Sequence, residues 1–84
     1  MQNTPFWNIL KVEMYGQRIK ELRTELDWTQ TDLARQLNIS QITVSKYERE
    51  TLDLGTGTLI ALARLFHVSS DFILGIEDET GAKI

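Results

Sequence analysis

The fold class that this sequence predicts is all-α, on three observations. Apolar residues recur at helical spacing along most of the chain, and no stretch alternates apolar with polar residues for long enough to make a half-buried strand. Residues that cap helices punctuate the pattern at Thr4, Thr29, Ser40 and Ser69. The 84 residues, 42% of them hydrophobic, suffice for one small core and not for two.

Thr4-Pro5 starts the first predicted helix, a capping residue followed by a proline suited to the first turn, and Phe6, Trp7, Ile9, Leu10 and Met14 then recur at helical spacing. After Gly16, the stripe Ile19, Leu22, Leu26, with Trp28 at its margin, predicts a second helix running to about Asp27. Thr29 with Asp32 has the form of a capping box and opens a third, with Leu33, Ala34 and Leu37 inward. Asn38 ends it, because asparagine tolerates the left-handed conformation that a sharp reversal needs. Ser40 caps the next helix, Gln41 to about Arg49, with Val44 and Tyr47 inward. Beyond a loop, Thr58 to Phe66 reads as the most apolar helix, and Ser69 caps a short last one, DFIL, closed by Gly75. The expected organisation is a helical extension over residues 1–14, a domain over 15–76 and a polar, frayed tail over 77–84.

Composition narrows the function. The chain has no cysteine, so disulfides and thiolate metal sites are excluded and a reducing cytoplasm is expected. No apolar run approaches the roughly 18 to 20 residues of a membrane span, and the start MQNTPFWNILKVE lacks the basic region and cleavage site of a signal peptide. His67, the only histidine, stands where a helix must end and has no second ligand near it, so it reads as a loop residue. Glu21 and Glu25 are spaced as a solvated helix face, and no nucleophile is paired with a base. Neither an enzyme, a metal site, a cofactor nor a small-molecule ligand is expected.

The helix from Gln41 carries the most specific pattern. With Gln41 at zero and about 100° per residue, Ser45, Arg49, Ile42 and Lys46 fall within about 140°, while Tyr47 and Val44 lie opposite at about 240° and 300°. One face is thus buried and the other is a row of polar donors around an isoleucine, the chemistry that reads a DNA groove. Glutamine pairs with adenine, lysine donates to guanine, and isoleucine rests on a thymine methyl. The preceding helix start, Thr29-Gln30, turns N–H groups and a positive dipole end toward a phosphate. Together these make a helix-turn-helix. A solvated surface helix is the plain alternative for the same face.

The segments RIKELR, TQTDLA, NIS, SQITVSKYE, TLIALARLF and VSSDFILG resemble the phage repressor and Cro-like helix-turn-helix proteins, the XRE family, over Tyr15 to Gly75. The resemblance implies a five-helix, lambda-repressor-like DNA-binding domain, here with an added N-terminal helix. It also implies a double-stranded operator as partner and a homodimer on a two-fold site. By position, Gln30 and Thr43 resemble phosphate contacts, while Gln41, Ile42, Ser45 and Lys46 resemble base-facing residues; Arg49, on the same outer face, is a further expected DNA-binding residue. Arg23 and Glu48 match a pair that forms a salt bridge in the family.

The chain departs from the family after the recognition helix. Glycine, a basic residue and proline are usual there, against Glu50, Leu52 and Leu54 here. Glu50 and Asp53 add negative charge near the expected DNA backbone, and the net charge is −3. The GTGT stretch, residues 55–58, reads either as an anion cradle of exposed N–H groups or as a flexible loop with a capping threonine. These departures keep a second reading open, a protein-interaction module of the same fold, such as an antitoxin or antirepressor, with weak DNA binding.

The leading segment is expected to pack Phe6, Trp7 and Leu10 on a second subunit or, alternatively, on its own domain, and Met14 is a candidate alternative start. The rival dimer surface is the last helix, Phe72 to Leu74, with the residues after it. Removing residues 1–13 is expected to convert a dimer to a monomer in light scattering. An unchanged dimer rules out the extension as the main interface.

Overall fold

The computed structural model describes residues 15–76. Five helices and no strand occur among them: α1 (Tyr15–Glu25), α2 (Gln30–Leu37), α3 (Gln41–Arg49), α4 (Thr56–Phe66) and α5 (Ser70–Ile73). The expected leading helix and the polar tail lie outside the described residues.

Every helix supplies the core. Ile19 and Leu22 of α1, Leu33 and Ala34 of α2, Val44 and Tyr47 of α3, Leu62 of α4 and Ile73 of α5 are buried together. Fully burying one such aliphatic side chain stabilises by roughly 1.5 to 3 kcal/mol. Helix α3 packs chiefly on α1 and α2, while α4 packs on α5 and α2, and α5 also reaches α1. Arg18 of α1 sits over the ring of Phe72, 4.3 Å from its centroid, a cation–π contact that ties α5 down.

Two elements differ from expectation. Helix α1 ends at Glu25, and Leu26, expected in the apolar stripe, is 50% exposed. The chain reverses at Asp27, φ 59°, with the N–H groups of Leu26 and Trp28 both returning to the Arg23 carbonyl at 3.2 and 3.1 Å. That reversal turns Leu26 outward and brings Trp28 to the core, its ring 5.9 Å from that of Phe66. Helix α4 begins at Thr56, two residues before Thr58, with Gly55 as N-cap and no side-chain cap bond. The Thr-Gly run has poor helix propensity, and the packing of the apolar turns after it carries the helix back to Gly55.

An ion pair borders the core. Arg23 is buried, and its guanidinium donates from Nε to Glu48 Oε2 at 2.7 Å, from Nη2 to Glu48 Oε1 at 2.9 Å and from Nη1 to the Trp28 carbonyl at 2.8 Å. The hydrogen bond to Glu48 raises the basicity of Arg23 above its ordinary value, with burial opposing it. The forked pair joins α1 to α3, and the third bond fixes the turn into α2. The two side chains are only 10% and 5% exposed, so removing one leaves a desolvated charge unpaired. Glu48→Ala is expected to destabilise the domain by about 3 to 5 kcal/mol, read from the urea midpoint. A change below about 1 kcal/mol is the behaviour of an exposed pair and contradicts this burial.

Candidate nucleic-acid interface

Local chemistry sets α2 and α3 at a fixed angle. Thr29 and Asp32 form both halves of the expected capping box: the Thr29 hydroxyl accepts from the Asp32 N–H at 3.1 Å, and the Asp32 carboxylate accepts from the Thr29 N–H at 2.8 Å. Asn38 takes the left-handed conformation, φ 57°, and the N–H groups of Asn38 and Ile39 close on the carbonyls of Arg35 and Ala34. Ser40 then caps α3, its hydroxyl accepting from the Thr43 N–H at 3.1 Å. The capping box at Thr29 and Asp32, the left-handed Asn38 and the Ser40 cap thus stand where the sequence predicts them.

The expected reading residues lie together on the outer face of α3, opposite Val44 and Tyr47. Gln41, Lys46 and Arg49 are exposed, Thr43 and Ser45 are half-buried, and Ile42 is 63% exposed. An isoleucine so exposed on a well-packed helix has no partner of its own in the core. Thr43 shares a 2.8 Å hydrogen bond with Ser40, and Arg49 Nε reaches the Ser45 carbonyl at 3.4 Å.

Gln30 is more than a residue at a helix start. Its amide Nε2 donates to Glu48 Oε1 at 3.1 Å, while its Oε1 accepts from Gln41 Nε2 at 2.6 Å. A continuous line of hydrogen bonds thus runs from buried Arg23 through Glu48 and Gln30 to Gln41 on the surface. Spacing alone did not reveal this line, because its members come from three helices.

In the loop after α3, the Glu50 Oε2 accepts from the Gly16 N–H at 3.1 Å. Its carboxylate is turned onto the start of α1. The hydroxyl of Tyr15 donates to the Leu52 carbonyl at 2.9 Å. The Tyr15 hydroxyl is harder to ionise than usual, first through burial and then through the charges of Asp53 and Glu50 and the neighbouring Tyr47. Gly55 and Gly57 have open space where a Cβ would stand, so nothing crowds the backbone at the start of α4. Among the described residues, no group of three His, Cys, Asp or Glu is placed to hold a metal ion, and no helix is long and apolar enough to cross a membrane.

This arrangement matches known proteins. A helix-turn-helix family pattern matches residues 19–73. The HTH-type transcriptional regulator ImmR of Bacillus subtilis is 43% identical over 68 residues, covering 81% of this chain and 53% of that protein. Antitoxin PezA of Streptococcus pneumoniae is 37% identical over 62 residues, 74% of this chain and 39% of that protein. The chain thus spans about half the length of ImmR and less of PezA. The fold superposes on a crystal structure of the P22 c2 repressor in complex with a synthetic operator, with TM-score 0.68 and 28% identity over 73% of this chain and 92% of that one.

The capping box has a pH signature. Hydrogen bonds from Thr29, the backbone one foremost, hold the Asp32 carboxyl below its ordinary value, with a smaller contribution from Arg35. A depressed carboxyl contributes stability above its unfolded pKa, roughly 3.9, and loses it as pH falls through the folded value. The melting temperature of the wild type should exceed that of Asp32→Asn at pH 6, and the difference should vanish as the pH drops well below about 4. A difference that persists in strong acid contradicts the ionised cap.

Proposed function

The chain belongs to the helix-turn-helix family, and from that premise we propose that it is a sequence-specific DNA-binding transcription regulator, a repressor, that reads the major groove with α3. The observation that carries this reading is the row of Gln41, Ile42, Ser45 and Lys46 on a helix whose opposite face is buried and whose position is locked by Arg23 and Glu48. ImmR is named a transcriptional regulator, and the P22 c2 repressor is seen bound to an operator, which supports the same reading here.

In this proposal Gln41 and Lys46 approach base edges, with Ile42 against a thymine methyl and Ser45 beside it. Arg49 extends the same face. Thr43 and Gln30 lie against phosphates, where neutral donors and helix N-termini position a protein without reading sequence. The partner is a double-stranded operator, met by a homodimer in the cytoplasm, with half-sites about 34 Å apart along the duplex. No catalytic step is involved.

A second reading, a protein-interaction module with weak DNA binding, draws on the likeness to PezA and on the few basic residues of the helix-turn-helix. Salt separates the two, since groove binding weakens steeply as salt displaces the protein from phosphates.

Selection of sites from a random duplex pool tests the residue roles. Gln41→Ala and Lys46→Ala should each cost about 1 to 3 kcal/mol at particular base pairs and relax the selected motif there. Gln30→Ala should weaken binding to all sequences and, because Gln30 also holds the Gln41 amide, blur the motif at the Gln41 position while leaving the Lys46 position intact. If both α3 substitutions leave the motif unchanged, groove reading fails and the interaction module is the better account.

A further inference from the structure

We propose that Glu50 is a positioning residue for DNA reading: its carboxylate caps α1 from across the domain and locks the C-terminal end of α3. The inference rests on α3 being the groove-reading helix. Helix α3 closes at Glu50 in the left-handed conformation, φ 60°, with the N–H groups of Glu50 and Thr51 returning to the carbonyls of Tyr47 and Lys46 at 3.1 and 2.9 Å. Glycine is the ordinary occupant of such a position, since a Cβ is disfavoured there. A glutamate in its place brings a side chain that glycine lacks.

That side chain reaches the start of α1. This helix has no acidic residue in its first turn, although its N–H groups and dipole favour one. Glu50 supplies it, accepting from the Gly16 N–H at 3.1 Å. Gly16 makes the approach feasible: a Cβ there would lie 2.4 Å from the Glu48 carbonyl oxygen and 2.8 Å from Glu50 Cγ. Tyr15 adds a second bond between the same segments, through the Leu52 carbonyl.

Geometry explains why this matters for reading. Gly16 and Arg23 stand about two turns apart on α1, roughly 10 Å, and each holds the end of α3, one through Glu50 and the other through Glu48. The two attachments reach the last turn of α3 from separate points on α1, and with the buried Val44 and Tyr47 they narrow the tilt available to the helix. Gln41 lies about 10 Å along α3 from Glu48, so a tilt of about 10° about that point moves it by about 2 Å. Hydrogen bonds to base edges do not survive such a shift. Attraction to phosphates tolerates it.

The test compares Glu50→Gly and Glu50→Gln in the full chain, with affinity measured both for the duplex that the wild type selects and for a random-sequence duplex. Glycine suits the left-handed backbone, so the first variant loses the cap without straining the turn, and thermal melts set a temperature at which all three proteins are folded. The preference for the selected duplex should fall by about two- to thirtyfold in Glu50→Gly. Glu50→Gln, which keeps an acceptor oxygen at the same reach, should restore most of it. An unchanged preference in Glu50→Gly overturns the proposal, as does a rise in affinity for both duplexes by one factor, which marks Glu50 as simple repulsion. A glutamine variant no better than the glycine one overturns it too. A wild type that prefers no sequence removes the DNA-reading proposal and this one together, whereas a selective wild type beside an equally selective Glu50→Gly removes this one alone.

Discussion

The guanidinium of Arg23 is the constraint on which the rest of the domain depends. Three of its N–H groups are committed, two to the Glu48 carboxylate and one to the Trp28 carbonyl. Those acceptors belong to α3 and to the turn before α2, so one planar group fixes three segments at once. A lysine could not replace it, because a point charge offers neither the fork nor the third in-plane donor. Among the described residues, no buried side-chain polar atom lacks a hydrogen-bond partner. This satisfaction lets a charged group sit beside a small apolar core without a large penalty.

From that anchor, order is passed outward to the proposed reading face. Glu48 uses Oε1 twice, for Arg23 and for Gln30, and Gln30 in turn holds Gln41. A surface glutamine on a nine-residue helix would ordinarily sample several rotamers. Here its amide has a fixed neighbour, so in the proposed base contact less conformational entropy remains to be lost. The stability of the core and the orientation of the proposed reading face are therefore set by the same residues.

Much of this was legible in the sequence because it is local. The capping box at Thr29 and Asp32, the left-handed Asn38, the Ser40 cap and the inward Val44 and Tyr47 all follow from neighbours a few residues apart, and the structure has each of them. What was not legible depends on residues distant in the chain. Glu50 reads as a stray charge until Gly16 is seen beside it, 34 residues away. Gln30 reads as a helix start until α3 is folded against it. Leu26 continues a helical stripe on paper, yet the reversal at Asp27 decides that Trp28 packs and Leu26 does not. The early start of α4 follows from tertiary packing that overrides the weak propensity of Thr56 and Gly57.

Four helix or turn ends among the described residues, at Asp27, Asn38, Glu50 and His67, adopt the left-handed conformation without glycine. Asparagine and aspartate tolerate that backbone, and Glu50 has its carboxylate engaged, but His67 is an exposed residue at the end of α4 that carries the strain with no such return. The domain thus holds unrealised stability at a position outside α3. Specificity on the proposed reading face would evolve by exchanging its residues, and most exchanges destabilise slightly. Relaxing the strained end of α4 would offset such losses, so the domain has room to change that face while remaining above its folding threshold.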